Sequence, residues 1–234
     1  AEEPRLMPSL HLPLQSGAEA TLRAMERPIT AHRYKSMVTQ LQAARPGMTL
    51  WLDVIAGFPG ETEALFEQSL QFIRGLDFTR LHVFPYSVRA GTPAARSPDQ
   101  VPESVKRERV ARLMALSEAR LEAKLQGRVG QQDEVLVEGD GRGHTRDNLP
   151  VQFDRPGMER FRGAILPVAL TGVVGGERLV AVPLETCAIE RHGQEGLTVK
   201  GLTVKDPVVK GHTIEDPVAK GHTCLLYTSD AADE

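Results

Sequence analysis

The chain has 234 residues, 41% of them hydrophobic and 25% charged, with a formal net charge of −3 at pH 7; this is the balance of a globular protein with room for one large domain or two small ones. That composition excludes a strongly basic chain drawn to nucleic acid by bulk charge, and no run of about 18 apolar residues is available to cross a membrane. Two cysteines, Cys187 and Cys224, stand too far apart for a disulfide framework or a metal-ligand spacing, so no metal site is expected and a reducing cytoplasm is the default setting.

In chain order, Ala1-Glu2-Glu3-Pro4 has neither a signal peptide's basic start and apolar stretch nor an initiating Met, which points to a chain beginning in mid-protein. Leu6 to Leu14 reads as a short buried strand ending in the polar, tight Gln15-Ser16-Gly17. A helical piece follows over Ala18 to Met25. Thr30 then suits an N-cap, its hydroxyl free to accept from a backbone N–H. The next helix carries Tyr34, Met37, Val38 and Leu41 on one face and is stopped by Pro46-Gly47. Met48 to Ala56 is nearly all apolar, as a strand covered on both faces would be. Thr62 to Arg74 is a helix with Phe66, Leu70 and Ile73 on one stripe and Gly75 as its C-cap. Thr79 to Tyr86 is a third strand, and Ser87 to Gln100 a loop rich in Gly, Pro and Ser. Pro102 opens a long helix, Glu103 to Gln126, with a seam of Val110, Leu113, Ser117, Leu121 and Leu125.

Strands alternating with helices argue for a parallel sheet. Three strands are too few for a closed barrel, so further strands are expected upstream. From Gly127 the pattern changes to short strands at Glu134–Glu138, Leu149–Phe153, Gly163–Leu170 and Arg178–Leu184, between Gly, Asp and Asn turns, which read as a small β-barrel or sandwich. Beyond about Glu190, Gly196 to Lys200 is repeated at once as Gly201 to Lys205. Asp206 to Thr213 then recurs with one change as Asp216 to Thr223. Such repeats cannot build a packed core alone. His192, His212 and His222 lie in this tail, which offers no rigid ligand geometry.

The stretch richest in chemical meaning is Asp53-Val54-Ile55-Ala56-Gly57-Phe58-Pro59-Gly60-Glu61-Thr62, a strand tip feeding a loop and then a helix. Ligands of parallel α/β folds bind outside the carboxyl ends of strands, and Gly57 and Gly60 let the backbone turn sharply or approach a ligand. Asp53 sits inside an apolar strand, and a buried carboxylate needs a partner, either a structural hydrogen bond or a ligand.

With His11-Leu12-Pro13-Leu14-Gln15-Ser16-Gly17 before it and Tyr86-Ser87-Val88-Arg89-Ala90-Gly91-Thr92-Pro93-Ala94 after it, this loop resembles the radical S-adenosylmethionine (SAM) methylthiotransferases. The segment after Gly127 is similar to the RNA-binding TRAM barrel that follows their catalytic domain. Leu81 to Ser87, Gly91 to Arg96, Asp99 to Val101 and Gly143 to Asn148 resemble the branch acting on threonylcarbamoyladenosine in tRNA. Other branches of the family act on isopentenyladenosine or on an aspartate of a ribosomal protein.

The resemblance implies an α/β fold: the C-terminal half of a radical SAM (β/α) partial barrel over residues 1–126, a small all-β TRAM barrel over 127–187, and a low-complexity tail over 188–234, disordered or an assembly artefact. It implies SAM as cofactor, tRNA with its anticodon-loop adenosine as partner, and an electron donor for the parent enzyme. In that family a [4Fe–4S] cluster held by a C-x-x-x-C-x-x-C motif cleaves SAM reductively, and the resulting radical abstracts hydrogen from the substrate. A second cluster, on three cysteines of an N-terminal domain, helps deliver the methylthio group. Neither cysteine set is in this chain, and clusters require thiolates; the chain is therefore expected to be an inactive fragment, or a non-catalytic RNA-binding remnant.

Carried over residue by residue, Gln15 and Ser16 would reach the ribose of SAM or cap the next helix. Arg27, in a Met25 to Thr30 pattern with Pro28 and Ile29 departing from the usual residues, would pair with the methionyl carboxylate or make a surface ion pair. Asp53 would contact the ligand, Gly57 would pass the adenine, and Phe84 or Tyr86 would flank it or fill the core. Arg89 would face tRNA phosphate, a substrate carboxylate or solvent, and Arg146, Arg160 and Arg162 would face RNA or solvent. Phe153 and Phe161 suit core packing better than base stacking.

Overall fold

The computed structural model describes residues 6–184, 188–191 and 197–200. They fall into two compact units. The first comprises residues up to Arg128 with 146–149 and 173–178; the second comprises 129–145, 150–172 and 179 onward.

In the first unit, β1 (Ser9–Gln15), β2 (Thr49–Ala56) and β3 (Arg80–Pro85) form a parallel sheet in the order β1-β2-β3. Helices α1 (Glu19–Ala24), α2 (Ala31–Ala44), α3 (Glu63–Arg74) and α4 (Glu103–Gln126) alternate with the strands. Thr30 caps α2 by accepting the N–H of Arg33, and Thr62 caps α3 by accepting that of Leu65, so Thr62 stands just before the helix it was expected to open. Gly75 closes α3 as expected.

The pleat of β2 divides the unit. Leu50, Leu52, Val54 and Ala56 point into a core with Tyr34, Val38, Phe66, Leu70, Ile73 and Leu113 of the helices. Trp51, Asp53 and Ile55 point the other way and stay half-buried. The expectation of a strand covered on both faces is thus corrected: on the second face Asp53 and Ile55 line an open concavity. The buried face of α4 also exceeds the apolar seam, for Lys106 and Arg109 are buried with Leu113, Ser117, Leu121 and Leu125, whereas Val110 is only partly covered. Ser117 Oγ accepts the N–H of Leu81 at 2.9 Å, which explains a polar residue in that seam.

The second unit is a closed barrel of β4 (Gln132–Val137), β5 (Arg142–Thr145), β6 (Pro150–Phe153), β8 (Arg178–Pro183) and β7 (Ile165–Val174), in that order around the ring. Closure decides between barrel and sandwich and leaves no free edge. Strand β5 was not expected, because Gly143-His144-Thr145 carries little apolar signal. It is placed by close approach to β4: a Cβ on Gly143 would stand 2.3 Å from the carbonyl oxygen of Leu136. Val135, Val151, Phe153, Leu166, Val168 and Leu179 fill the interior. Beyond the barrel, β9 (Ala188–Arg191) and β10 (Leu197–Lys200) pair antiparallel inside the segment expected to be disordered; Leu-Thr-Val suits a strand. The remaining tail lies outside the described residues. Among those described, no helix is long and apolar enough to cross a membrane.

Gly57 and Gly60 both hold positive φ, +77° and +80°. A Cβ on Gly60 would meet open space, whereas one on Gly57 would stand 2.4 Å from Lys106 Cγ. Gly60→Ala is therefore expected to cost about 1 kcal/mol of backbone strain, and Gly57→Ala about 2–3 kcal/mol. Urea unfolding of both variants beside the parent checks the order; equal costs would mean that Lys106 yields freely.

Candidate cofactor-binding site

The carboxyl ends of β1, β2 and β3 open on a cavity of 570 Å³ lined by Gln15, Arg27, Asp53, Ile55, Phe58, Phe84, Pro85, Tyr86, Ser87, Arg89, Thr92 and Ala94. Six residues singled out in the sequence therefore meet in one place: Gln15, Arg27, Asp53, Phe84, Tyr86 and Arg89. Gln15 ends β1 after an irregularity in the pairing with β2, and its φ of 72° is in the left-handed region that a side chain disfavours. Strain of that kind is retained where surrounding structure demands it, often at ligand sites. Glu26, at φ 55°, turns the chain at the end of α1, and the N–H of Arg27 donates back to Leu22 O, which brings the exposed Arg27 to the cavity rim.

Tyr86 is held on three sides. Its N–H donates to Ala56 O at 2.8 Å, its carbonyl accepts from Lys106 Nζ at 3.1 Å, and its ring meets Phe58 edge-on at 5.2 Å between centroids. Its hydroxyl is buried without a hydrogen-bond partner among the described residues. A buried hydroxyl left unpaired is costly. Phe84 exposes half of its surface, an apolar face ready for a flat ring.

Asp53 finds its partners within the sheet: Oδ1 lies 2.6 Å from His11 Nε2 and 3.3 Å from His82 Nδ1. Burial pushes the Tyr34 hydroxyl well above its ordinary range, and the charge of Asp53 pushes it the same way; Tyr34 accordingly stays a donor, to Leu12 O at 3.0 Å.

Two expectations are corrected. Ser16 is fully buried away from the cavity, its hydroxyl accepting the N–H of Ala18 and lying 3.4 Å from Ser69 Oγ, so it serves the start of α1. Gly57 does not line the cavity: its N–H donates to Glu61 Oε2 at 2.7 Å and its α-carbon abuts Lys106. Its positive φ and the closeness of Lys106 on α4 both call for glycine there. In the second unit, Arg160 and Arg162 are exposed at one 3-10 turn, Met158–Phe161, with Arg160 over the Phe161 ring at 4.6 Å. Arg146 is exposed too but groups with the first unit. Phe153 is in the barrel core, as expected.

Sequence reasoning missed Lys106, Arg109, His11 and His82. For the histidines a signal existed, since each, like Asp53, is a polar residue inside an apolar strand. For the two cations of α4 the signal was hidden, because a charged residue on a helix is ordinarily a solvated one. The loop after β2 is closed by Glu61, whose buried carboxylate pairs with buried Arg109 at 2.9 Å while Arg109 also donates to Glu61 O.

No protein-family model matches the chain. It is 38% identical over 203 residues to the tRNA-2-methylthio-N(6)-dimethylallyladenosine synthase of Streptomyces viridosporus, an alignment covering 82% of this chain and 40% of that protein. Identically named proteins of Bordetella pertussis and Acidothermus cellulolyticus are 42% and 43% identical, each over 73% of this chain and 39% and 36% of theirs. The chain spans about two fifths of the length of these curated relatives. These relatives are named for dimethylallyladenosine and not for the threonylcarbamoyl branch expected from the motifs. Among solved structures, the radical SAM enzyme coproporphyrinogen III oxidase of Escherichia coli superposes with a TM-score of 0.42 and 19% identity, covering 48% of this chain and 27% of that one.

Burial pushes the Glu61 carboxyl above its ordinary value, against the opposing pull of the Gly57 N–H and Arg109. A raised pKa in the folded state contributes stability that is present below the unfolded carboxyl's range and is lost as pH rises through the folded value. Arg109→Leu removes part of the opposing pull. The variant is expected to lose about 3–5 kcal/mol at about pH 7, where Glu61 would be left charged and buried. It should lose distinctly less at about pH 4, where a neutral carboxyl is the easier form. Urea unfolding at the two pH values checks this; equal losses would assign the role of Arg109 to packing.

Proposed function

We propose that this chain carries the cofactor-binding and RNA-binding parts of a tRNA methylthiotransferase, and that the cavity at the ends of β1, β2 and β3 takes SAM. The observation that carries the reading is the meeting of Arg27, Asp53, Phe84 and Tyr86 on one cavity at the carboxyl ends of parallel strands. Arg27 would hold the methionyl carboxylate by a charge-assisted pair. Phe84 offers a face to the adenine, and the unpartnered Tyr86 hydroxyl and the Gln15 side chain are polar contacts for the ribose or amino group. Bound SAM supplies radical chemistry only beside an iron–sulfur cluster, and two cysteines cannot provide a three-thiolate ligand set. The chain by itself is therefore expected to bind SAM without turnover.

The five-stranded barrel fits the role of a TRAM domain. Arg160 and Arg162, exposed at one turn, would meet phosphate there, with Arg146 and Arg89 as further contacts. For the substrate, the motifs around β3 favour the threonylcarbamoyl branch, whereas identity of 38–43% along most of the chain favours the dimethylallyl branch. The longer similarity outweighs short motifs, and N6-dimethylallyladenosine in the tRNA anticodon loop is the substrate proposed.

Calorimetric titration of the chain with SAM tests the cavity. Binding is expected, and Arg27→Leu should weaken it by about tenfold or more, the worth of a charged hydrogen bond; SAM binding indifferent to Arg27 and to Tyr86→Phe would remove the cavity from the proposal. Nucleoside analysis of tRNA from cells lacking the gene tests the substrate. Loss of the methylthio form of dimethylallyladenosine is expected. Loss of the threonylcarbamoyl form instead would restore the other branch, and an unchanged profile would end the enzyme reading.

A further inference from the structure

Three polar side chains interrupt the apolar strands of the sheet, one on each: His11 on β1, Asp53 on β2 and His82 on β3. Asp53 pairs with His82 across the β2–β3 register, and His11 pairs with Trp51, two residues before Asp53 and so on the same face. All three project from the face opposite the helices. One ligand atom from each of His11, Asp53 and His82 lies within 4.8 Å of the other two.

We propose that His11, Asp53 and His82 are a binding site for a single divalent transition-metal ion of the zinc–nickel class. The donor set decides the class. Two imidazole nitrogens and one carboxylate oxygen are the ligands that zinc, nickel, copper and iron(II) accept, whereas magnesium and calcium take oxygen throughout. The spacing also fits. Metal bonds of about 2.0–2.2 Å in a tetrahedral site set donors roughly 3.4 Å apart; His82 Nδ1 already stands 3.3 Å from Asp53 Oδ1, and His11 Nε2 must withdraw from its 2.6 Å separation. His11 is about half exposed, which leaves its ring room for that shift. The three Cα positions are fixed by adjacent hydrogen-bonded strands, so the donors are brought together before any ion arrives. Three protein ligands leave at least one coordination position open, and Asp53 also lines the cavity. The inference does not depend on the cavity's ligand and survives if that is not SAM.

The protein carries its own reporter. Trp51 is its one tryptophan, and its ring centroid lies 5.6 Å from that of His82. Titration of the full chain with Ni²⁺, followed by tryptophan emission, is expected to quench most of the signal with saturation at one equivalent. Excess Zn²⁺, which does not quench, should restore it. His11→Asn and His82→Asn are each expected to weaken Ni²⁺ binding by at least about tenfold, the range already seen when only an outer partner of a ligand is lost. Both residues are substantially exposed, and unchanged far-UV circular dichroism would confirm that these variants fold. The triple variant His192→Asn, His212→Asn, His222→Asn removes the tail imidazoles and should quench like the parent. Absence of quenching, or quenching that follows the tail histidines and ignores His82, would overturn the proposal and leave the triad a hydrogen-bonded cluster only.

Discussion

The buried pair between Glu61 and Arg109 is the constraint on which the first unit's ligand-facing end depends. Two charges taken out of water repay their desolvation only when each is well engaged, and here both carboxylate and guanidinium hold several partners, with Arg109 Nε alone left unpaired among the described residues. Glu61 receives the Gly57 N–H and the Arg109 guanidinium; Arg109 also donates to the Glu61 carbonyl and reaches Glu63. The result ties the loop after β2 to a helix that begins some forty residues later in the chain. One turn earlier on the same helix, Lys106 reaches the Tyr86 carbonyl and sits over its ring. Helix α4 thus anchors the loops after both β2 and β3 through two buried cations, and the cavity wall takes its shape from them.

The sheet divides its labour by side-chain parity. Even-numbered residues of β2 meet the helices and supply the apolar burial, while Trp51, Asp53 and Ile55 form the opposite face. A carboxylate can persist there because two imidazoles stand beside it. The same arrangement that satisfies Asp53 also gathers two imidazole nitrogens and a carboxylate oxygen in one place. The polar cluster and the cavity therefore share Asp53.

The second unit solves a different problem. Five short strands cannot bury much alone, and closure into a ring gives each a partner on both sides. The single parallel contact, β6 with β8, completes that ring. Its surface mixes signs, with Asp140, Asp154, Arg155 and Glu159 around one shallow cavity of 380 Å³. The exposed Arg160 and Arg162 beside it are consequently a local cationic feature on a unit without a uniformly basic face.

Periodicity and punctuation in the sequence were enough for the alternation of strands and helices, the caps at Thr30 and Gly75, the full extent of α4 and the existence of a small β unit, because those signals act over a few residues. The same local reading brought out Gln15, Arg27, Asp53, Phe84, Tyr86 and Arg89, since each stands at or near a strand tip or loop. It left Ser16 open between cofactor and helix start and did not foresee the packing of Gly57, because their neighbours, Ser69 and Lys106, are some fifty residues away in the chain. Only the tertiary structure could decide that Asp53 lies between two histidines, that the charges of Lys106 and Arg109 point inward, and that a strand passes through Gly143. Each of these turns on strand register or helix packing, which sums contacts between distant segments that no local pattern records.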